Sequence, residues 1–484
     1  MLDLLKQGAN VTRTENGAIT LKTTESDCLD LFATIGALRH ANEDTIVSRF
    51  LRAYTENKDL AMKTLFFARD IRGGLGERRV FRVILKWLAY HEPSSVRKNL
   101  AYIAEYGRFD DLLVLLDTPC GEDAMALLKE QFEKDLMALR EGGHVSLLAK
   151  WLPSINASSK TTVAYAKKLA RYLGMRECEY RKALVALRAE ISILENHLRE
   201  RDYTFDYAKQ PARAMFKYSQ AFIRNDGIRY NNYLRMVRQG TAKLHTDTLS
   251  PYELIDPYLT FSWKGESLRP LTEEQKDFLN TTWAALPDFG GEEDALVVVD
   301  TSGSMYTDST PKPASVALSL GLYFAERNTG AYHNHFIEFS ATPQLIEIKG
   351  ETFVDRLRYL STFNEIANTN LEAVFHLILR TAIKNKVPAN EMPPKLIIIS
   401  DMEFDRCVCE ADESNFENAK KRFAHFGYEL PQIVFWNVAS RNAHQPVRKN
   451  ERGVTLVSGC TPRLFSMVAS GWHDQPLRLY AGGA

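Results

Sequence analysis

Residues 295–304 read Ala-Leu-Val-Val-Val-Asp-Thr-Ser-Gly-Ser, and this stretch decides the fold. Ala295 to Val299 are apolar, mostly β-branched and bounded by charge. A short run of that kind predicts a strand buried on both faces, as in a parallel sheet. It ends in Asp300, Ser302 and Ser304, with Gly303 allowing the backbone to turn sharply. In open α/β sheets, ligands bind beyond the carboxyl ends of the strands. A carboxylate and two hydroxyls at that place form an oxygen-only set. Hard cations such as Mg2+ favour such ligands, with few carboxylates and retained waters.

Three other motifs are excluded by the residues present. An aspartic protease loop has Gly directly after Asp-Thr, where Ser302 stands here. A G-x-S-x-G nucleophile elbow would need glycines where Ser302 has Asp300 and Ser304. A Walker A loop, G-x-x-x-x-G-K-[ST], is absent. What remains is D-x-S-x-S.

Two further pieces follow. Asn368-Thr369-Asn370-Leu371 opens a helical stretch, Leu371 to Lys384, whose apolar residues Leu371, Val374, Phe375, Ile378 and Ala382 recur at helical spacing. Lys395 to Ser400 is a second apolar strand, ending at Asp401. Together these residues resemble the metal-ion-dependent adhesion site (MIDAS) of von Willebrand factor A (vWA) domains. The resemblance implies Mg2+ or Mn2+ held by Asp300, Ser302, Ser304, Thr369 and Asp401, directly or through water. Two departures predict bulkier loops. That family often has Gly-Gly before the threonine, where Ala367-Asn368 stand, and Gly after the second aspartate, where Met402 stands.

The whole chain has 484 residues, 45% apolar and 25% charged, ordinary for a globular protein of two or three domains. No run of 18 apolar residues occurs, so a membrane partner is not expected. The start, Met1-Leu-Asp-Leu-Leu-Lys, lacks a basic segment and a long apolar core, so a signal peptide is not expected. Of 6 cysteines only Cys407 and Cys409 are close, with no second pair to complete a zinc site. Free thiols in a cytoplasmic setting are the expectation. Net charge is zero but unevenly placed: residues 151–250 carry 18 Lys+Arg against 9 Asp+Glu, and 251–300 carry 3 against 11. Such asymmetry points to an anionic partner for one half.

Residues 26–245 read as amphipathic helices in series, joined by short Gly, Pro, Ser or Asp turns, without a strict period. That predicts a degenerate HEAT-like repeat array. Two turns stand out within it. In Ala68-Arg-Asp-Ile-Arg-Gly-Gly-Leu-Gly-Glu-Arg-Arg79, residues Arg69, Arg72, Arg78 and Arg79, with Arg82 just beyond, surround a helix start. A helix N-terminus beside arginines can hold phosphate; a solvated interhelical turn reads the same. Tyr106-Gly-Arg-Phe-Asp-Asp-Leu112 repeats the theme, with Asp110 and Asp111 placed to complement a helix dipole. Further on come Lys167, Lys168, Arg213, Lys217, Arg224, Arg229 and Arg235, interleaved with Tyr218, Tyr230 and Tyr233. Cations for phosphates and rings for unstacked bases suit RNA. Core tyrosines covered by arginine stems are the plain alternative.

Four prolines and many acids mark residues 247–292 as a connector with one helix, about 272–284. After it, alternating strands and helices predict a doubly wound sheet with right-handed crossovers and a short antiparallel edge pair, 332–339 and 344–348. The expected domains are therefore 1–250 (helical repeats), 251–290 (acidic connector) and 291–484 (vWA-like α/β).

This layout resembles the TROVE-module proteins, the Ro autoantigen family, and in particular an uncharacterised microbial and viral group of the same plan. The residues that carry the resemblance are 71–79, 106–112, the Asp-Thr-Ser-Gly-Ser-Met of 300–305 and the Ser-Asp-Met-Glu-Phe-Asp of 400–405. It implies a ring of helical repeats closed by the vWA domain, and a ribonucleoprotein scaffold, not an enzyme, that binds small structured RNAs and RNA ends. The alternative is a metal-dependent protein-interaction module without RNA, in which an acidic residue of a partner completes the metal's coordination. No nucleophile–base pair supports catalysis.

Overall fold

The computed structural model describes residues 1–191, 194–260, 268–289, 294–307, 309–339, 342–363, 369–406, 414–464 and 467. Ala367, Asn368, Cys407 and Cys409 lie outside the described residues. The chain divides into two compact units, residues 1–64 with 246–484, and residues 65–245.

The first unit carries an N-terminal hairpin, β1 (Val11–Arg13) and β2 (Ile19–Leu21), and a six-stranded sheet. The sheet strands are β3 (Leu296–Asp300), β4 (His335–Phe339), β5 (Gln344–Glu347), β6 (Lys395–Ser400), β7 (Gln432–Asn437) and β8 (Val454–Ser458). Their order is β5-β4-β3-β6-β7-β8, with only β5 antiparallel to its neighbour. Numbered within the sheet this is 3-2-1-4-5-6, the doubly wound order, and its switch point lies between β3 and β6. The apolar runs end up where their composition requires. Every residue of β3 and β6 is buried, whereas edge strand β5 buries only Ile346. Leu296 and Val298 pack with Leu371, Phe375, Phe416 and Phe423 of the helices Leu371–Asn385 and Asn415–His425. The opposite face meets the helix Pro313–Arg327 so closely that a Cβ on Gly321 would come 2.5 Å from Val299 Cγ2.

The expected boundary at residue 250 is corrected here. The first 64 residues belong to the sheet unit. The hairpin bridges to it at Gly17–Asp405 and Leu21–Gln445. The helix Asp27–Ile35 buries seven of its nine residues, and Gly36 packs so tightly on β8 that a Cβ would sit 2.3 Å from the Ser458 carbonyl oxygen. Helical periodicity shows that a face is buried, not which surface buries it. The acidic stretch 251–290 is likewise no mere connector, since Leu254, Ile255, Phe278 and Trp283 are core residues. Trp283 stacks on Phe353 at 4.2 Å, and Asp256 Oδ1 accepts from the Lys312 N–H and the Ser315 hydroxyl at the start of the Pro313 helix.

The second unit is helical, with no strand among its described residues. It includes the helices Arg78–His91, Pro93–Tyr106, Gly121–Glu141, Lys160–Tyr172, Glu177–Glu190 and Ala212–Arg238. The last breaks at Asp226 (φ −144°, ψ 38°). Residues Phe109–Leu115 form a 3-10 helix.

Candidate cation site and basic helix face

The ends of the two central strands bring Asp300, Ser302, Ser304 and Asp401 together. Asp300 and Asp401 are buried, at 0% and 2% exposure. The Ser302 N–H donates to Asp300 Oδ1 at 2.9 Å, the Ser302 and Ser304 hydroxyls lie 3.1 Å apart, and Ser304 Oγ donates to Asp401 Oδ2 at 2.8 Å. Thr369 is buried, and its backbone bonds lead to Asp405 and Leu371, not to these four side chains. Its carbonyl oxygen accepts from the Asp405 N–H at 2.9 Å and the Leu371 N–H at 3.2 Å.

Burial, and then the neighbouring Asp401 carboxylate, push the Asp300 pKa up. Burial raises Asp401 as well, while Arg441 and the Ser304 hydroxyl pull it partly back. Two buried carboxylates, each pushed up by burial, favour a shared cation. Among the described residues no three His, Cys, Asp or Glu side chains gather to hold a metal. The donor set here is two carboxylates with hydroxyls, which fits a hard ion that keeps several waters.

Sequence reasoning missed the contacts of Ser400 and Arg441 and the backbone conformation of Met402. Ser400 Oγ donates to Asp300 Oδ2 at 2.6 Å and accepts from the Met402 N–H, tying the two strand ends together. The signal was available, because a hydroxyl ends the buried strand just before Asp401. Arg441, from the loop after β7, donates from Nη2 to Asp401 Oδ2 at 2.9 Å and from Nη1 to Glu15 Oε2 at 2.8 Å. No local pattern marks it. Met402, standing where the resembled family often has Gly, holds φ +69°, the left-handed conformation that a glycine takes without cost. Glu403 does not join the cation cluster. Its Oε1 meets Asn442 Nδ2 at 2.8 Å and His444 Nε2 at 2.9 Å, and its Oε2 accepts from the Glu15 N–H at 2.8 Å, so it fastens the N-terminal segment.

The arginines expected to contact RNA divide by burial. Arg69 is 2% exposed, and its Nε donates to Asp111 Oδ2 at 2.7 Å, so it is a core ion pair and is withdrawn as a phosphate contact. Arg82 Nε adds a bond to Asp111 Oδ1 at 2.6 Å. Arg78 is half exposed but pairs with Asp110 at 2.8 Å, and Arg72 donates to the Glu105 carbonyl at 3.1 Å. Arg79 is exposed. Glu77, beside the start of the Arg78 helix, is buried, which disfavours an anion there. The Arg-Gly turn and the Tyr106–Leu112 turn thus form one structural node. Lys167 pairs with Glu177 at 3.2 Å, and Lys168 with Asp117 at 2.8 Å. On the helix Ala212–Arg238, Arg213, Lys217, Arg224, Arg229 and Arg235 are all exposed. Arg213, Lys217 and Arg224 share one stripe by their spacing. Tyr230 and Tyr233 are buried and are withdrawn as stacking platforms, while half-buried Tyr218 donates to Glu195 at 3.1 Å.

A helical unit, with a doubly wound unit that carries an acid–hydroxyl cluster at its switch point, defines the class of molecule. The chain belongs to the family described as domain of unknown function DUF2828, which matches residues 14–124 and 122–288. A second domain of unknown function, DUF7788, matches residues 294–473. The chain is 30% identical over 508 residues to the uncharacterized protein L728 of Acanthamoeba polyphaga mimivirus, across 97% of this chain and 86% of that one. Among solved structures, the Ro (RSR) protein of Deinococcus radiodurans matches with 13% identity and a TM-score of 0.47, over 93% of this chain and 100% of that chain. Proximal thread matrix protein 1 of the mussel byssus matches with 10% identity and a TM-score of 0.26, over 37% and 46%.

Proposed function

We propose that this protein is a non-enzymatic, cytoplasmic, Ro-like RNA-binding scaffold of HEAT-like repeats and a vWA-type domain. In this reading the helical unit binds structured RNA or RNA ends through its basic surface. The vWA-type site binds Mg2+ or Mn2+ for a protein partner. The observation that carries the RNA reading is the helix Ala212–Arg238, whose five selected cations all stand on the surface. Exposed arginines and lysines along one helix give phosphate contacts at little desolvation cost. No helix among the described residues is long and apolar enough to cross a membrane. Cysteines 28, 120 and 178 are free thiols, which suits a reducing compartment.

Asp300, Ser302, Ser304, Thr369 and Asp401 would hold the metal. Bound there, the ion supplies an electrophilic position that accepts an outside carboxylate. Ser400 and the Ser302 N–H orient Asp300, and Ser304 orients Asp401. Arg441 neutralises part of the site's charge. The observation that supports a metal-dependent protein partner without RNA is this convergence of two buried acids. Filter binding of RNA to the full-length protein separates the two readings. Salt-sensitive retention supports the scaffold. Its absence, with metal-dependent capture of an acidic peptide, supports the interaction module.

A further inference from the structure

We propose that a groove beside Trp151 takes one unstacked base and its adjoining phosphate from single-stranded RNA, an assignment that rests on the RNA reading above. The groove lies wholly within the helical unit and encloses about 520 Å³, within the roughly 300–1,000 Å³ of small-molecule sites. Its charged lining is mostly cationic: Arg78, Arg82, Lys150 and Arg188 against the single acid Asp110.

Asp110 is already committed, with its carboxylate bonded to Arg78 at 2.8 Å and to Arg108 at 3.0 Å. Arg188 has no such match in its hydrogen bonds. Its guanidinium donates to the Ala149 and Leu152 carbonyl oxygens, each at 2.8 Å, and to the Ser154 hydroxyl at 2.7 Å, all neutral acceptors. Those bonds also fix the turn Leu148–Trp151 that carries Lys150 and Trp151. Lys150 is exposed, with its ammonium 5.5 Å from the Trp151 ring centre. Trp151 is half-buried. Arg108 lies over its ring at 3.9 Å but does not line the groove, so the ring is braced from outside it. Arg78 and Arg82 are matched by Asp110 and Asp111, and a held indole beside Lys150 and Arg188 is the arrangement that stacks a base and pairs its phosphate. Bases inside a duplex are already stacked, so the groove selects single strands.

The test measures fluorescence anisotropy of two labelled RNAs, an oligouridylate and a blunt hairpin, on the full-length protein. Trp151→Ala and Lys150→Glu should each weaken oligouridylate binding, the first by roughly 5- to 150-fold as expected for one lost stack. Hairpin binding should stay within about twofold, and Trp151→Phe should recover most of the oligouridylate affinity. Unchanged oligouridylate binding in both variants, with the wild type still holding the hairpin, overturns the groove and leaves the RNA reading standing. Equal weakening of both RNAs by Trp151→Ala and Lys150→Glu also overturns it, because a site for unstacked bases must discriminate. Binding of neither RNA by the wild type overturns both proposals.

Discussion

Arg69 donates from Nε to Asp111 Oδ2 at 2.7 Å, with both side chains buried at 2% and 0% exposure. The pair joins the Arg-Gly turn of residues 69–79 to the Gly-Arg-Phe-Asp-Asp turn of residues 107–111, two motifs that look separate in the sequence. It is closely packed as well: a Cβ on Gly107 would come 2.5 Å from Asp111 Oδ2. Removing Arg69 leaves the buried Asp111 Oδ2 without its guanidinium, while Arg82 still holds Oδ1. Arg69→Ala should therefore lower stability by about 1–3 kcal/mol, the cost of a buried polar group left unsatisfied, read from urea unfolding. A change inside ±0.5 kcal/mol, usual for surface sites, would show that the pair is not a core element.

Asp110 gives this node a pH signature. Burial pushes its carboxyl up, but Arg82, Arg108 and Arg78 outweigh that and hold it below its ordinary value. A lowered folded-state pKa means that the stabilisation is present above the unfolded value, near pH 3.9, and is lost as pH falls through the folded value. Wild type and Asp110→Asn should therefore differ in Tm at pH 7 and converge as the solution is acidified toward pH 3. A gap that stays constant with pH would remove the arginine–carboxylate account.

Gly74 tests the turn itself. A Cβ there would lie 1.9 Å from the Phe67 carbonyl oxygen, which accepts the Leu75 N–H at 3.1 Å. Backbone cannot yield as a flexible side chain can. Gly74→Ala should destabilise by clearly more than the ~1 kcal/mol of an average substitution, measured as a drop in Tm.

These residues also show what the sequence could and could not carry. β3 and β6 were legible because a strand buried on both faces must be continuously apolar, and the acids and hydroxyls at their ends then had only one place to go. Arg441 was not legible, because its partner Asp401 is 40 residues away and a loop residue has no periodicity. Arg69 was misread because composition counts a charge alike whether it is solvated or buried. Tyr230 and Tyr233 were misread for the matching reason: an aromatic between basic residues on a helix is as easily the buried face as the exposed one. Residues 1–64 look like any other amphipathic helices until the surface that covers them is seen.

The cation site makes two opposed predictions. Asp300→Ala should abolish Mg2+ or Mn2+ binding by calorimetry. Arg441→Ala should strengthen it, because the guanidinium at 2.9 Å occupies the Asp401 oxygen that the metal would need. Equal binding, or equal absence of binding, in wild type and Asp300→Ala would refute the site.

The central claim is that the exposed cations of the Ala212–Arg238 helix hold RNA. It is tested most directly by filter binding of a structured RNA to the full-length protein at low and at physiological salt. Retention should fall steeply as salt rises. Joint charge reversal of Arg213, Lys217 and Arg224 should abolish it, each charged hydrogen bond being worth about 1.5–3 kcal/mol. Asp300→Ala should bind as wild type does. Retention that ignores salt, or that survives the triple reversal, would contradict the account, as would no retention by the wild-type protein at all.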